Sequence, residues 1–248
     1  SIKETGGEIL DVVNETHGRG DEWKKAITNP DADCVVILAP NYLHYEIAKA
    51  ANEAGKTVLC EKPLALKSEH VKDLAGRENI FVVQQLHYHE GVIKMRREIS
   101  KDKHYDIHID VDVHRDRHYF DGWKGNMELS GGPLFTLGVH YFELLLYLFG
   151  PATRAEMTSF DGKAGQGIIE GANYNCQWRV SVGAPVGQNK RFFNVNGIAL
   201  NLSGKENLAE ENLHNFVYQD LLQGRGVTPA QALPAIELIE KLYDDYHS

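Results

Sequence analysis

The chain has 248 residues, 42% hydrophobic and 25% charged, enough to bury a real core as one large or two modest domains. Its net charge of −9 leaves no basic surplus to neutralise phosphates, which argues against a nucleic-acid partner but allows one local cationic pocket for a small anion. No run of about eighteen apolar residues occurs, so no membrane span or secretory leader is expected, and three cysteines (Cys34, Cys60 and Cys176) without metal-ligand spacing suit a reducing cytoplasm.

In chain order, residues 1–7 read as the tail of a helix and 8–13 as a strand. No glycine-rich fingerprint of a phosphate-binding loop occurs anywhere. The passage 14–21 runs quickly from a strand end into a helix around 23–27. Val35-Val36-Ile37-Leu38 is a run of aliphatic residues typical of a strand buried on both faces, ending at Ala39-Pro40-Asn41. A helical pattern over 42–54 closes at Gly55, and a second strand over 58–60 breaks into Glu61-Lys62-Pro63. Strand, helix and strand deliver polar residues at the carboxyl ends of the strands, the edge where open α/β sheets bind ligands. Ser68 is expected to cap a helix over 69–74, and 80–85 forms another strand.

The domain change is placed at Leu86, giving a first domain of residues 1–86 and a second of 87–248. The second begins with a helix over 89–99 and an alternating strand over 106–113. A loop at 130–133 leads into a helix over 138–149, stopped by Gly150-Pro151. Strand patterns follow at 154–160, 168–182, 192–195 and 198–202, then helices at 212–222 and 229–246. This is an α+β pattern with a large, mostly antiparallel sheet.

Glu61-Lys62-Pro63 after a strand–helix–strand unit, with Pro40-Asn41 ending the previous strand, resembles the Gfo/Idh/MocA oxidoreductases. Gly138-Val139-His140-Tyr141-Phe142-Glu143 is similar to that family's glycine-x-histidine helix. The resemblance spans nearly the whole chain. It implies an α/β Rossmann-type dinucleotide-binding domain plus an α+β substrate domain, with NAD as cofactor; since members of the family open with a strand and a glycine-rich phosphate loop, the resemblance leads us to expect both upstream of Ser1. The segments 40–45, 85–89 and 138–140, with Trp123-Lys124-Gly125, resemble a narrower branch. Its members oxidise the 3-hydroxyl of UDP-N-acetylglucosaminuronate during synthesis of lipopolysaccharide O-antigen sugars. Two positions depart from the pattern: Thr136 stands for the family's Asp (Asn in the branch), and Glu143 for an Asp.

Oxidising a secondary alcohol needs a base near neutral pKa and a cation where charge builds on oxygen. Lys62 and His140 are the candidates, and residue types alone leave open which takes the proton. Asn14, at a strand end, is the candidate for the adenine ribose, with NAD favoured over NADP. Pro40, Asn41 and His44 are expected to line the cofactor groove, Glu61 to approach the nicotinamide ribose, and Gln85 its carboxamide. Trp123 either covers the nicotinamide or packs the domain junction. For the nucleotide sugar, Arg115 is the preferred anion partner, with Arg117 and Lys124 nearby. Tyr119, Thr136, Tyr88, His87 and Tyr141 are further substrate candidates. A dehydrogenase of a free polyol such as inositol, and a non-catalytic dinucleotide sensor, remain as alternatives. Alternation along 168–182 and 192–202 leaves one sheet face polar, and a homodimer or homotetramer is expected through it.

Overall fold

A computed structural model describes residues 2–13, 22–202 and 209–247. Asn14 and the passage 14–21 lie outside the described residues. After a short helix α1 (Glu22–Ile27), strand β1 (Cys34–Ile37) leads through a 3₁₀ turn (Asn41–Leu43) into α2 (His44–Glu53). Strand β2 (Thr57–Cys60), helix α3 (Ser68–Ala75) and strand β3 (Ile80–Val82) follow. The three strands pair in parallel in the order β1-β2-β3. Burial of Val58, Leu59 and Cys60 at 1% exposure or less explains their unbroken apolar run: both sheet faces are covered.

Three expectations for this region are corrected. Residues 8–13 form no strand; β1 is the edge of its sheet among the described residues, and Ile9, Leu10, Val12 and Val13 are exposed. Ser68 is the first residue of α3 rather than its cap; its N–H donates to Glu240 Oε1 at 3.0 Å. Gln85 falls not in a strand but in a 3₁₀ turn, Gln85–Tyr88.

The second region opens with α4 (Glu90–Glu98) and β4 (Tyr105–Asp112), then two short helices, α5 (Arg117–Asp121) and α6 (Met127–Ser130). A π-helical turn (Leu134–Gly138) enters α7 (Val139–Phe149). Strands β5 (Ala152–Phe160), β6 (Ala164–Gly171), β7 (Tyr174–Ser181), β8 (Lys190–Val195) and β9 (Ile198–Asn201) complete the sheet. The stretch 168–182, expected as one strand, is therefore the turn and arms of a hairpin. Helices α8 (Ala209–Leu222) and α9 (Pro229–His247) end the chain described.

The six strands lie in the order β5-β6-β7-β4-β8-β9, antiparallel except for the central β7–β4 pair. Alternation sorts the faces. Ile107, Ile109, Val111, Cys176, Trp178 and Val180 point inward, and the Trp178 ring meets Phe142 of α7 edge-on at 5.2 Å. The outward face carries Asp110, Asp112, Arg179 and Lys190, neutralised in pairs: Arg179 to Asp112 at 3.1 Å and Lys190 to Asp110 at 3.3 Å.

The run Met127–Phe149 is long and apolar enough to cross a membrane, unlike anything expected from the sequence, but 78% of its most apolar window is buried inside the protein. It is the central core helix of this region. The three cysteines are free thiols. Trp178→Ala should lower unfolding free energy by about 3–5 kcal/mol, since a large aromatic would leave a cavity under the sheet. Urea denaturation checks this; a loss under about 1 kcal/mol would mean that the ring is not part of the core.

Candidate active site

The carboxyl end of β2 delivers Glu61, Lys62 and Pro63, and the Lys62–Pro63 peptide is cis. Lys62 Nζ donates to the Thr136 carbonyl at 3.0 Å. Thr136 sits in the π turn, where the Val139 N–H bonds back to the Leu134 carbonyl. Such a widened turn displaces carbonyls from the regular helical ladder, and here one of them receives the lysine. Burial pushes the Lys62 pKa down to about 8; Glu61 opposes this, while Lys124, Arg115 and Arg191 add to it. His140 is the second residue of α7. Burial, then the charges of Lys62, Arg191 and His214, hold its imidazole well below the ordinary range, so it is neutral at pH 7.

Glu61 accepts from the Lys62 backbone N–H at 3.3 Å and faces His214 Nε2 of α8 at 3.7 Å. Burial favours its neutral form, but His214 and Lys62 outweigh that and keep the carboxyl below its usual pKa. Beside this pair, Thr136 Oγ1 donates to the Gly132 carbonyl at 2.9 Å, so the Tyr119 hydroxyl at 3.1 Å is the donor to Oγ1. The Arg115 guanidinium lies 5.1 Å over the Tyr119 ring, and its Nε is buried without a partner. Lys124 Nζ stands 5.4 Å over the Trp123 ring. Lys62, His140, Thr136, Tyr119 and Arg115 are thus gathered in one place, with the Trp123–Gly125 turn within electrostatic reach.

The residues present fit a nicotinamide dinucleotide. Gln85 Oε1, just past β3, is a buried acceptor without a partner, which a carboxamide N–H would satisfy. The Glu61 carboxylate can accept from ribose hydroxyls, and Pro40 is half-buried at the end of β1. Among the described residues no cluster of three or more His, Cys, Asp or Glu is placed to hold a metal ion.

Several expected site residues have other work. The His44 ring is 1% exposed, its Nδ1 2.6 Å from the Pro63 carbonyl and its Nε2 2.7 Å from the Ala39 carbonyl. It clamps the ends of β1 and β2 together and does not line a groove. Asn41 is also buried; its Nδ2 donates to the Ser130 carbonyl at 2.8 Å, pinning the first sheet to α6. Tyr88 donates to Asp220 at 2.7 Å and stacks on Phe216, so α8 claims it. Tyr141 is 3% exposed in the core. His87 Nε2 lies 2.8 Å from Glu143 Oε1 and its ring stacks on Tyr147, so α7 engages it. Arg117 is exposed and pairs with Asp121. His214 and Arg191 were not expected. The alternation along β8 could have flagged Arg191, which shares its face with Phe193 and Val195; His214 lies on a helix with no such signal.

One family model, described as an oxidoreductase family with an NAD-binding Rossmann fold, matches residues 8–79, and its companion α/β C-terminal domain matches 98–168. The chain belongs to the Gfo/Idh/MocA oxidoreductase family. Among curated relatives, 1,5-anhydro-D-fructose reductase of Ensifer adhaerens is 27% identical over 69% of this chain and 58% of its own length. D-glucoside 3-dehydrogenase of Escherichia coli is 28% identical over 58% of this chain and 44% of its own. The chain therefore spans about half the length of these relatives. Among solved structures, the WlbA dehydrogenase of Thermus thermophilus, in complex with NAD and UDP-GlcNAcA, superposes with a TM-score of 0.76 at 27% identity. That match covers 84% of this chain and 70% of the other. The Bordetella pertussis WlbA dehydrogenase, at 19% identity and TM-score 0.75 over 91% of this chain and 80% of the other, shares the fold.

The lysine of this family member has a measurable cost. With its pKa lowered from 10.5 to about 8, the folded state disfavours the ammonium by about 3 kcal/mol. The unfolded chain binds more protons between these values, so stability rises with pH across that window, and the whole cost is present below pH 8. Lys62→Met should accordingly be the more stable protein at pH 7, with the gap closing as pH rises toward 10.5. Denaturant melts at pH 7 and 10 test this; a gap that does not change with pH would show that the lysine is not desolvated.

Proposed function

We propose that this chain carries the catalytic apparatus of an NAD-dependent dehydrogenase that oxidises the 3-hydroxyl of a UDP-N-acetylglucosaminuronate-type nucleotide sugar, in the making of lipopolysaccharide sugars. The observation that carries the reading is Lys62: a desolvated amine with a pKa of about 8, fixed on the Thr136 carbonyl and surrounded by cations. NAD, when bound, supplies the hydride acceptor. Lys62 in its amine form removes the hydroxyl proton, and the ammonium so formed faces the oxygen on which negative charge has built. His140, neutral at pH 7, holds the same hydroxyl by a hydrogen bond. Tyr119 and Thr136 shape the sugar side, Glu61 and Gln85 the cofactor side, with Trp123 over the junction between them. Arg115 holds an anionic group of the substrate. The chain divides near Leu86 into the cofactor half and the substrate half.

Support for the nucleotide sugar comes from the Thermus WlbA complex with NAD and UDP-GlcNAcA, and support for the 3-position from the glucoside 3-dehydrogenase. A free sugar or polyol is the second reading. It is favoured by the 34% identity over 97 residues to an inositol 2-dehydrogenase/D-chiro-inositol 3-dehydrogenase of Lactiplantibacillus plantarum. Turnover of inositol but not of UDP-sugars with NAD would select it.

The mechanism predicts that kcat/KM for alcohol oxidation rises through an inflection near pH 8 as Lys62 loses its proton. Lys62→Met should lower kcat by roughly 10²–10⁴-fold, the usual contribution of a general base. His140→Asn should be slower but keep the inflection. An inflection on the acid side that vanishes in His140→Asn would move the base role to the imidazole.

Assembly follows from the outward sheet face, whose charges are neutralised within it and whose polar surface can form a wet, specific interface. A homodimer or D2 tetramer through that face is expected in solution. Light scattering at micromolar concentration measures it, and a monomer there would refute the pairing.

A further inference from the structure

We infer that Arg191 is the residue that selects an anionic substrate at this site, by binding a carboxylate or phosphate on the sugar close to the reacting carbon. The inference deepens the dehydrogenase reading and rests on it. Arg191 lies on β8 opposite Val111, in register with the buried Phe193 and Val195, so its side chain starts on the inner face of the sheet. Its neighbours Lys190 and Phe192 point to the outer face and are exposed. Arg191 itself is half-buried. From this inner face its charge bears on both Lys62 and His140.

What separates Arg191 from the other sheet cations is that no described residue supplies it with a counter-charge. On the outer face, Arg179 pairs with Asp112, Lys190 with Asp110, and Arg154 with Glu156 and Glu170. Arg191 makes no ion pair or side-chain hydrogen bond with the described residues. Arg115 and Lys124 also press on Lys62 with positive charge, and Glu61, the carboxylate that acts on Lys62, is already shared with His214. Several cations thus act on the buried Lys62, and the carboxylate among the described residues that opposes them, Glu61, is already committed to His214. Gathering like charges out of water is unfavourable, and an anion that enters the site relieves it. The planar guanidinium offers a two-pronged fit to a carboxylate or phosphate oxygen pair.

The test uses the full chain, NAD, and two sugars differing in one charge, UDP-N-acetylglucosaminuronate and UDP-N-acetylglucosamine. In the wild type kcat/KM should favour the charged sugar. Arg191→Met should reduce that preference roughly 10- to 100-fold, the range expected for charged hydrogen bonds, mainly through KM of the uronate. Arg191→Lys should restore part of it. Removing a cation that disfavours the Lys62 ammonium should also move the pH inflection upward, which a merely structural role for Arg191 would not do. A preference unchanged in Arg191→Met, with a melting temperature near that of the wild type, overturns the inference. Failure of the dehydrogenase reading looks different: neither nucleotide sugar is oxidised. In that case thermal shift with D-glucuronate against D-glucose decides the point. Stabilisation by glucuronate that is lost in Arg191→Met upholds the anion site, and no stabilisation of the wild type removes it.

Discussion

One hydrogen bond, from the Lys62 ammonium to the Thr136 carbonyl, joins the two halves of the molecule at the centre of the candidate site. The lysine comes from the carboxyl end of the middle strand of a parallel sheet, and the carbonyl from a widened helical turn at the head of the core helix. For the two to meet, Gly131 and Gly132 must both adopt left-handed backbone, with φ of 75° and 72°. A Cβ at Gly132 would also collide with the Met127 sulfur. His44 steadies the other side of the contact through the Pro63 carbonyl, one residue from the lysine. Dehydration of the ammonium, and with it a pKa near neutrality, follows from this closure rather than from any property of the tripeptide.

The elements legible from sequence were those whose burial is two-sided or whose ends carry a breaker. The aliphatic runs at β1 and β2, the alternation of β4 and β7, and the stop at Gly150-Pro151 all left marks of that kind. Residues 8–13 misled because a short apolar run does not by itself separate a buried strand from exposed irregular chain. Lys62, His140, Tyr119 and Arg115 were singled out from sequence, and the structure gathers them into one candidate site. It was misread at His44, Asn41, Tyr88 and Tyr141, because a polar or aromatic side chain beside a cleft and one pinning two elements look alike in sequence. Gln85 could be anticipated, but the unsatisfied oxygen that gives it meaning could not. The π turn has no sequence mark, and it is what presents the Thr136 carbonyl.

Charge is distributed in two registers on the same sheet. The chain carries a net −9, yet its interior site is cationic. On the outer face acids and bases alternate across strands at distances near 3 Å and cancel locally. On the inner face Ile107, Ile109 and Val111 offer no acid opposite Arg191. An acidic exterior around a cationic interior confines attraction for anions to short range, since exposed charge is screened beyond about 10 Å at ordinary ionic strength.

The bond between the Ser68 N–H and Glu240 Oε1 joins groups 172 positions apart. Alongside it, α9 packs on α3, and the backbone of Val82 bridges to Val227. The first sheet is assembled from near neighbours in sequence, yet one of its helices and its last strand are completed by residues beyond 226. During synthesis the cofactor half emerges first but must wait, with apolar surface uncovered, until the late helix arrives. Its local contacts can form within the leading stretch of chain, whereas its closure has the slow, non-local character of a high-contact-order step.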